Sequence, residues 1–223
     1  MNEPDAIEHS EIFGESNEKA TILTRYRKSI RENLKAAGAN PNTEAFETQA
    51  EMLAKQLSDL EVSALIDPGT GLYNRRGFNK RLEEEADAAG RADTPYTIVT
   101  VDLNRLKQVN DSEGHDVGDE YIKAAADLLS KTSRRSDVFG RVGGDEFAGI
   151  LRTNLEGAMH WGARMVRNFS NADVGLSIGV ALLDPQNPKA SLKLSDERMY
   201  AAKEKAHESG GNYYFDGTAT NVA

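Results

Sequence analysis

The sequence contains no cysteine, so disulfides, thiolate zinc sites, iron–sulfur clusters and cysteine nucleophiles are all excluded. It also lacks any apolar run close to the roughly 18 residues that a membrane-spanning helix needs, and no apolar leader region follows the acidic N-terminus. We therefore expect a cytoplasmic protein without a membrane partner. Any bound metal must use oxygen ligands or the four histidines.

Acidic residues outnumber basic residues in the sequence. The chain has 27 lysines and arginines against 36 aspartates and glutamates, which gives a formal net charge of −9. Binding a nucleic-acid polymer needs a net basic face, so this balance argues against such a partner and leaves only local basic pockets. With 223 residues, of which 39% are apolar, the chain is long enough for one domain with a substantial core plus a small appendage.

The N-terminal region is polar at first and then has a helical pattern. Residues 1–18 are acidic without a period, which predicts a flexible tail. Residues 19–66 predict a helical segment of two helices, separated by the stop signal at 38–41. A short heptad seam on the second helix fits either packing on its own domain or contact with a second copy. The seam residues are Phe46, Ala50, Leu53, Leu57, Leu60 and Ala64.

A turn cluster at 67–71 opens the main domain, which we expect to span 67–223. Its central segments read β-α-β-β-α-β, and this order predicts an α+β fold with a ferredoxin-like split sheet. In such a sheet the first and third strands are antiparallel neighbours, so Asp102 would stand near Asp145 and Glu146. The predicted strands are 96–102, 138–142, 147–152, 174–183 and a short last strand at 213–215, and the predicted helices are 78–89, 118–131, 154–169 and 192–208.

Three carboxylates at one sheet edge repel one another unless cations lie between them. Oxygen ligands suit Mg²⁺ or Mn²⁺ better than zinc, and two such ions could activate an attacking hydroxyl and steady a leaving oxygen. After Asp102, residues 104–107 offer consecutive backbone N–H groups and Lys107 for a triphosphate. The alternatives are an ordinary solvated hairpin and a calcium loop, and the calcium loop fails at Leu106.

The segment Gly143-Gly144-Asp145-Glu146-Phe147 resembles the signature that names the GGDEF family, the diguanylate cyclases. The resemblance extends from Asp67 to Phe215, and several motifs at the family's intervals argue against a chance match. These further motifs are Asp67-Pro68, Thr70 to Arg76, Asp102, Lys107 to Asp111, Gly114-His115, Gly118-Asp119, Ser177 to Ala181, Asp196 and Met199-Tyr200 with Ala202-Lys203.

The resemblance implies an enzyme of the nucleotide-cyclase and polymerase-palm type, acting as a homodimer. It would condense two GTP into cyclic di-GMP and release two pyrophosphates, with two Mg²⁺ or Mn²⁺ ions per active site. The metal positions would be Asp102, the carbonyl of Leu103, Asp145 and Glu146, with Asp145 also accepting the hydroxyl proton. The remaining positions would be Lys107 for transition-state charge, Lys203 with Arg105 and Leu106 for the phosphates, and Asn110 and Asp119 for the guanine edge.

Arg134 and Asp137 resemble the family's RxxD inhibitory site, where product dimers bind, although an arginine-rich helix end is an ordinary feature. The chain departs from the family pattern at Gly69 and Asn104, and His207 stands where a phosphate-binding arginine is expected. These departures keep two alternatives open. One is a cyclic di-GMP receptor with little or no turnover, and the other is a GTP-binding scaffold that relays a signal through the heptad helix.

Overall fold

The computed structural model of the chain describes residues 15–91, 94–171, 174–209 and 213–216. Helix α1 (Glu15–Ala36) therefore begins inside the range expected to be a tail, and residues 1–14 of that range lie outside the described part. Among the described residues, the structure contains no helix with the length and apolar character that a membrane span requires.

Helix α1 and helix α2 (Glu44–Leu65) form a helical hairpin ahead of the sheet. Thr43 caps α2, because its hydroxyl accepts from the Phe46 N–H at 3.2 Å. The face of α2 that packs inward repeats every four residues and only partly follows the predicted seam. Its buried residues are Phe46, Ala50, Ala54, Ser58, Val62 and Leu65.

From Leu53 onwards, the heptad seam lies outside the hairpin contact. Leu53 and Leu57 are 37% and 38% exposed, and Leu60 is 66% exposed. The buried face drifts away from the seam because α1 crosses α2 in an antiparallel hairpin and selects a neighbouring stripe of side chains. An apolar stripe thus remains on the surface of α2.

The main domain is built on a six-stranded sheet in the order β1-β3-β4-β2-β5-β6. The pairs β2–β4, β2–β5 and β3–β4 are antiparallel, and the outer pairs β1–β3 and β5–β6 are parallel. The central order β3-β4-β2-β5 confirms the predicted α+β, ferredoxin-like split fold. The elements are β1 (Tyr73–Asn74), α3 (Arg75–Arg91), β2 (Thr97–Leu103), α4 (Leu106–Glu113), α5 (His115–Thr132), β3 (Val138–Arg141), β4 (Glu146–Leu151), α6 (Leu155–Asn171), β5 (Leu176–Leu182), α7 (Pro188–Ser209) and β6 (Tyr213–Asp216).

Strand β2 lies at the centre of the core and is buried along its whole length. Alternate residues point to opposite faces. Val99 and Val101 join a cluster with α5 and α6, whereas Ile98 joins a cluster with α3. Thr100 bonds to Ser195 of α7 at 2.7 Å. The same alternation directs Asp102 towards α7.

Helix α4 replaces the loop that the sequence predicted after β2. The segment has only two strongly apolar residues, Leu106 and Val109, too few for a periodic signal. Gly114, with a φ of 93°, separates α4 from α5, which starts at His115, upstream of the predicted 118. The first turn of a helix also presents free N–H groups, as the predicted loop would.

Candidate functional site

The end of β2 and the turn between β3 and β4 meet at one edge of the sheet. Asp102 lies opposite Glu146 in the β2–β4 register. One residue further, the Leu103 N–H donates to the carbonyl oxygen of Asp145 at 3.0 Å. We call residues 143–146, which connect β3 to β4, the signature hairpin. Its backbone is therefore tied to the strand that carries Asp102.

Asp102 is a buried acid with one satisfied oxygen. The side chain is 4% exposed, and its Oδ2 accepts from the Lys203 ammonium of α7 at 2.8 Å. Oδ1 is buried and accepts no hydrogen bond from any described residue. Burial raises the pKa of Asp102; Lys203 opposes this shift, and the charges of Asp145 and Glu146 add to it. The site therefore holds more negative charge than its one lysine neutralises.

The carboxylates themselves are less tightly grouped than the sequence suggested. Within the described residues, no three side chains of the His, Cys, Asp or Glu type form a cluster that could hold a metal ion. Glu146 is 40% exposed and lies 4.0 Å from the Arg75 guanidinium. Arg75 and Lys203 place positive charge beside Glu146 and Asp102, respectively.

The donor set nevertheless fits a divalent cation of the magnesium type. Oδ1 of Asp102 is a hard oxygen ligand that accepts no hydrogen bond from the described residues. Burial and neighbouring negative charge disfavour the ionised carboxylate, and a divalent cation would offset this effect. The hairpin carboxylates of Asp145 and Glu146 are close enough to Asp102 to affect its pKa. Such oxygen-rich, acid-rich sites suit Mg²⁺ and Mn²⁺.

Glu146 lies directly against Gly143. A Cβ atom at position 143 would come within 2.4 Å of Glu146 Oε2 and 2.9 Å of Glu146 Cβ. The Val142 and Gly143 N–H groups both donate to the Glu146 carbonyl, at 2.8 Å and 3.1 Å. The first glycine of the signature is therefore required by this close approach.

The junction between β2 and α4 is held by Asn104. The Asn104 N–H donates to the Gly175 carbonyl at 2.9 Å, and its side-chain oxygen accepts from Ser177 at 3.1 Å. Tyr121 donates to the Asn104 carbonyl at 3.1 Å. Asn104 thus braces the buried junction between β2 and α4 through its backbone and its side-chain oxygen.

Arg105 follows with a φ of 69°, in the left-handed region that residues with side chains rarely adopt. The strained turn leaves the Arg105 side chain exposed and buries Leu106, while Lys107 is exposed in the first turn of α4. Of the predicted phosphate contacts in this segment, Arg105 and Lys107 present charged side chains to solvent. Leu106 can offer only its backbone.

The two predicted guanine contacts, Asn110 and Asp119, lie at the junction of α4 and α5. Gly118 allows this arrangement, because a Cβ there would lie 1.9 Å from Asn110 Oδ1. The Gly114 N–H donates to the Asn110 carbonyl at 3.1 Å, which fixes the bend between the helices. Asp119 is exposed next to this contact.

The predicted inhibitory pair lies at the other end of β3 from the signature hairpin. Asp137 is 8% exposed, and its two oxygens accept from the backbone N–H groups of Arg134 at 2.8 Å and Arg152 at 3.3 Å. Burial raises the pKa of Asp137, and these two hydrogen bonds oppose the shift. Asp137 thus shapes the turn that presents the exposed Arg134 side chain. The side chain of His207 lies outside the described part of the structure.

Three residues near the site had no assigned role in the sequence analysis. Arg75 contacts Glu146, Arg141 contacts the signature hairpin, and Tyr121 braces Asn104. Arg75 belongs to the motif at 70–76, which supported the family resemblance but suggested no role for this residue. Tyr121 lies within the predicted helix 118–131 and was not singled out.

This split sheet, with an acidic strand end facing a glycine-rich acidic hairpin, defines a nucleotidyltransferase-like palm architecture. The family model described as "Diguanylate cyclase, GGDEF domain" matches residues 64–209. The match covers more than half of the chain, and the protein therefore belongs to the GGDEF family.

The relatives include the probable diguanylate cyclase DgcC of Escherichia coli strain K12, which is 39% identical over 165 residues. That alignment covers 69% of this chain and 44% of DgcC, so the chain spans less than half the length of this relative.

Solved structures share the fold. The coiled coil and GGDEF domain of DgcB from Caulobacter crescentus aligns with a TM-score of 0.67 at 22% identity, covering 75% of this chain and 94% of that one. A microbial GGDEF domain described for its interaction with cyclic di-GMP aligns with a TM-score of 0.59 at 28% identity, covering 71% and 100%.

Proposed function

We propose that this protein is a diguanylate cyclase that uses GTP and Mg²⁺ or Mn²⁺ and acts as a homodimer. The observation that carries the proposal is the register of the signature hairpin against Asp102, whose buried Oδ1 has no partner among the described residues. Family membership and a relative named as a probable diguanylate cyclase support it. A related GGDEF domain is described with cyclic di-GMP, which supports the proposed product.

The proposed reaction joins two GTP molecules in two identical steps. In each step the 3′-hydroxyl oxygen of one GTP attacks the α-phosphorus of the other, a new P–O bond forms, and the bond to the β-phosphate oxygen breaks. Pyrophosphate leaves, and the hydroxyl proton passes to a carboxylate, for which Asp145 is the candidate. Each domain would hold one GTP, so two copies must face each other for both bonds to form.

Each part of the site has a proposed role. The metal would be held by Asp102, the Leu103 carbonyl, Asp145 and Glu146, and when bound it would polarise the phosphate and lower the pKa of the attacking hydroxyl. The first turn of α4, with Arg105, Leu106 and Lys107, would bind phosphate oxygens through N–H groups and positive charge. Lys203 would neutralise phosphate charge from α7, and Asn110 with Asp119 would bind the guanine edge.

Incubation of the purified chain with GTP and Mg²⁺, followed by chromatography of the products, tests the proposal. We expect cyclic di-GMP and pyrophosphate from the wild type and none from Asp145→Asn. Asp87→Asn, an exposed aspartate on α3, is the matched control and should retain activity. Equal activity in Asp145→Asn would overturn the assignment. Binding of cyclic di-GMP without product formation by the wild type would favour the receptor alternative.

We further propose product inhibition through Arg134 and Asp137. The exposed Arg134 guanidinium can form paired hydrogen bonds to phosphate or guanine, and Asp137 holds the turn that presents it. Arg134→Ala should leave the initial rate unchanged and abolish inhibition by added cyclic di-GMP. Arg167→Ala, an exposed arginine on α6, should remain inhibited. Unchanged inhibition in Arg134→Ala would exclude this site.

A further inference from the structure

Arg141, the last residue of β3, contacts the tip of the signature hairpin. Its Nε and Nη2 donate to the Gly144 carbonyl at 3.2 Å and 2.8 Å. This carbonyl belongs to the peptide group that joins Gly144 to Asp145. A guanidinium that holds it from two nitrogens therefore limits rotation of the peptide that leads into Asp145.

Gly144, at the tip of the hairpin, has open space around it. Apart from Gly144 itself and its two chain neighbours, no described atom lies within 4 Å of the place where a Cβ of Gly144 would be. Glycine also has the widest conformational freedom of any residue. The two Arg141 hydrogen bonds therefore restrain the backbone at a residue whose own conformational preferences restrain it little.

The other side of the Arg141 guanidinium faces Asp67. Nη1 lies 3.5 Å from Asp67 Oδ1, and the two side chains are 21% and 20% exposed. The same oxygen accepts from the Thr70 N–H at 3.0 Å and the Thr70 hydroxyl at 2.8 Å. Asp67 is thus fixed by its own turn and orients Arg141 from a defined position.

Asp67 comes two residues after the end of α2, and that end is anchored to the domain. Asn74, which lies opposite Arg141 in the β1–β3 pair, donates to the carbonyls of Ala64 at 3.0 Å and Ile66 at 3.4 Å. A Cβ at Gly77 would lie 2.2 Å from the Leu65 carbonyl, so α3 approaches the end of α2 closely. Hydrogen bonds therefore connect the end of α2 to the signature hairpin through Asp67 and Arg141.

From these contacts we infer that Arg141 is a positioning residue for Asp145, and that Asp67 orients Arg141 from the end of α2. A change in the position of α2 would alter the contact between Asp67 and Arg141 and, through it, the hairpin. The consequence for turnover rests on the proposed cyclase activity, whereas the consequence for hairpin order does not.

Hydrogen exchange without nucleotide, measured on the full chain, tests the ordering role. The reporters are the N–H groups of Leu103 and Gly143, which donate to the carbonyls of Asp145 and Glu146. Arg141→Lys keeps the charge but cannot form the fork, so we expect roughly tenfold faster exchange at these positions. The matched control is Arg164→Lys. In the wild type, the Arg164 guanidinium donates to the Thr132 carbonyl at a distance of 3.1 Å, and this contact lies away from the hairpin. Exchange at the reporters in this variant should equal that of the wild type.

Turnover provides the second measurement. Arg141→Lys should lower kcat about tenfold and leave the KM for GTP within about twofold, because it disturbs Asp145 and not the nucleotide contacts. Asp67→Asn should have a smaller effect of the same kind. Adding it to Arg141→Lys should change little, since both act through one contact.

Wild-type exchange and wild-type kcat in Arg141→Lys would overturn the inference. Faster exchange spread over the whole domain would also overturn it, because that result indicates general destabilisation. If even the wild type forms no product, the proposed function fails, and the exchange data alone then decide the positioning role.

Discussion

The ammonium of Lys203 lies 2.8 Å from Oδ2 of Asp102, so the last long helix supplies positive charge to the acid at the end of the central strand. The contact follows from the alternation of β2, because Thr100 meets Ser195 and Asp102 meets Lys203 along the same helix. Lys203 partly neutralises a carboxylate whose other oxygen has no described partner. A bound divalent cation would therefore compensate the same buried charge that Lys203 compensates in part.

Removal of Lys203 should make stability depend on divalent cations. In Lys203→Met the charge of Asp102 is left buried, and we expect a loss of about 2 kcal/mol in the free energy of unfolding when a chelator is present. Saturating Mg²⁺ should recover much of this loss. Urea unfolding with and without Mg²⁺ measures both values.

A surface pair on the same helix gives the matched control. Lys193 and Glu197 are 78% and 59% exposed, so Lys193→Met should cost less than about 0.5 kcal/mol in either condition. If Mg²⁺ does not change the loss in the free energy of unfolding of Lys203→Met, then a cation does not compensate the charge of Asp102 in place of Lys203.

Asp102 should lower the stability of the fold at neutral pH. Burial raises the pKa of Asp102 in the folded state, so folding favours the protonated form. The stability that this proton provides is present below the usual pKa of 3.8 and is lost as the pH rises through the folded pKa. With a chelator present, Asp102→Asn should therefore be more stable than the wild type near about pH 7, and this advantage should shrink as the pH falls towards about 4.

Urea unfolding of both proteins across this pH range measures the difference. An advantage for Asp102→Asn that stays constant with pH would indicate that ionisation is not its cause. The same variant should make no cyclic di-GMP. Asp102 would then be a residue that lowers stability and yet is required for activity.

The fit of Asn110 against Gly118 should control nucleotide affinity. In Gly118→Ala the added Cβ would lie 1.9 Å from Asn110 Oδ1, so the amide must move away from its position. We expect roughly tenfold weaker GTP binding, the effect of losing about one good hydrogen bond. Calorimetric titration with GTP and Mg²⁺ in Asp145→Asn, which prevents turnover, measures the affinity.

Gly90→Ala is the control for this prediction. Outside its own helix, its Cβ would meet only Pro185 at 3.4 Å among the described atoms, and α3 packs in a different core cluster from α5, which carries Asp119. GTP affinity should be unchanged in this background. Equal affinity in Gly118→Ala would remove Asn110 from the proposed guanine site.

The exposed leucines of α2 should stabilise the proposed homodimer. Leu53 and Leu60 lie on one stripe of α2, and burying this stripe against a second copy would remove apolar surface from water. Changing both residues to glutamate should shift the dimer to monomer in sedimentation experiments and make specific activity fall on dilution. Leu194→Glu, at a leucine of α7 that is 41% exposed, should leave both properties unchanged. Wild-type sedimentation in the double variant would exclude this stripe as the contact.

Much of the architecture follows from local patterns. The β-branched run before Asp102 predicts a buried strand, and the strand order then places Asp102 opposite Glu146. These inferences need only the alternation of side chains along a strand and the right-handed crossover of β-α-β units. The motif spacing led to the same family that the comparisons show.

The features that the sequence did not predict depend on distant partners. The inward face of α2 is chosen by α1, so Leu60 is exposed although it fits the heptad seam. The direction of Asp102 follows from the alternation of β2, but its partner Lys203 and the Arg75 that contacts Glu146 are far away in sequence and could not be predicted. Helix α4 was missed because only Leu106 among its residues is buried, which gives no repeating pattern.

The central position of β2 has a consequence for how the site responds to different ligands. A strand with paired neighbours on both edges and helices on both faces is among the last parts of a domain to open in local fluctuations. Asp102 and Leu103 are therefore attached to the least mobile backbone, whereas Lys107 and Asp119 lie on exposed helical surface. In the proposed complex, the base and outer phosphates of a nucleotide would be able to shift, while the Asp102 carboxylate would keep a constant position relative to the sheet.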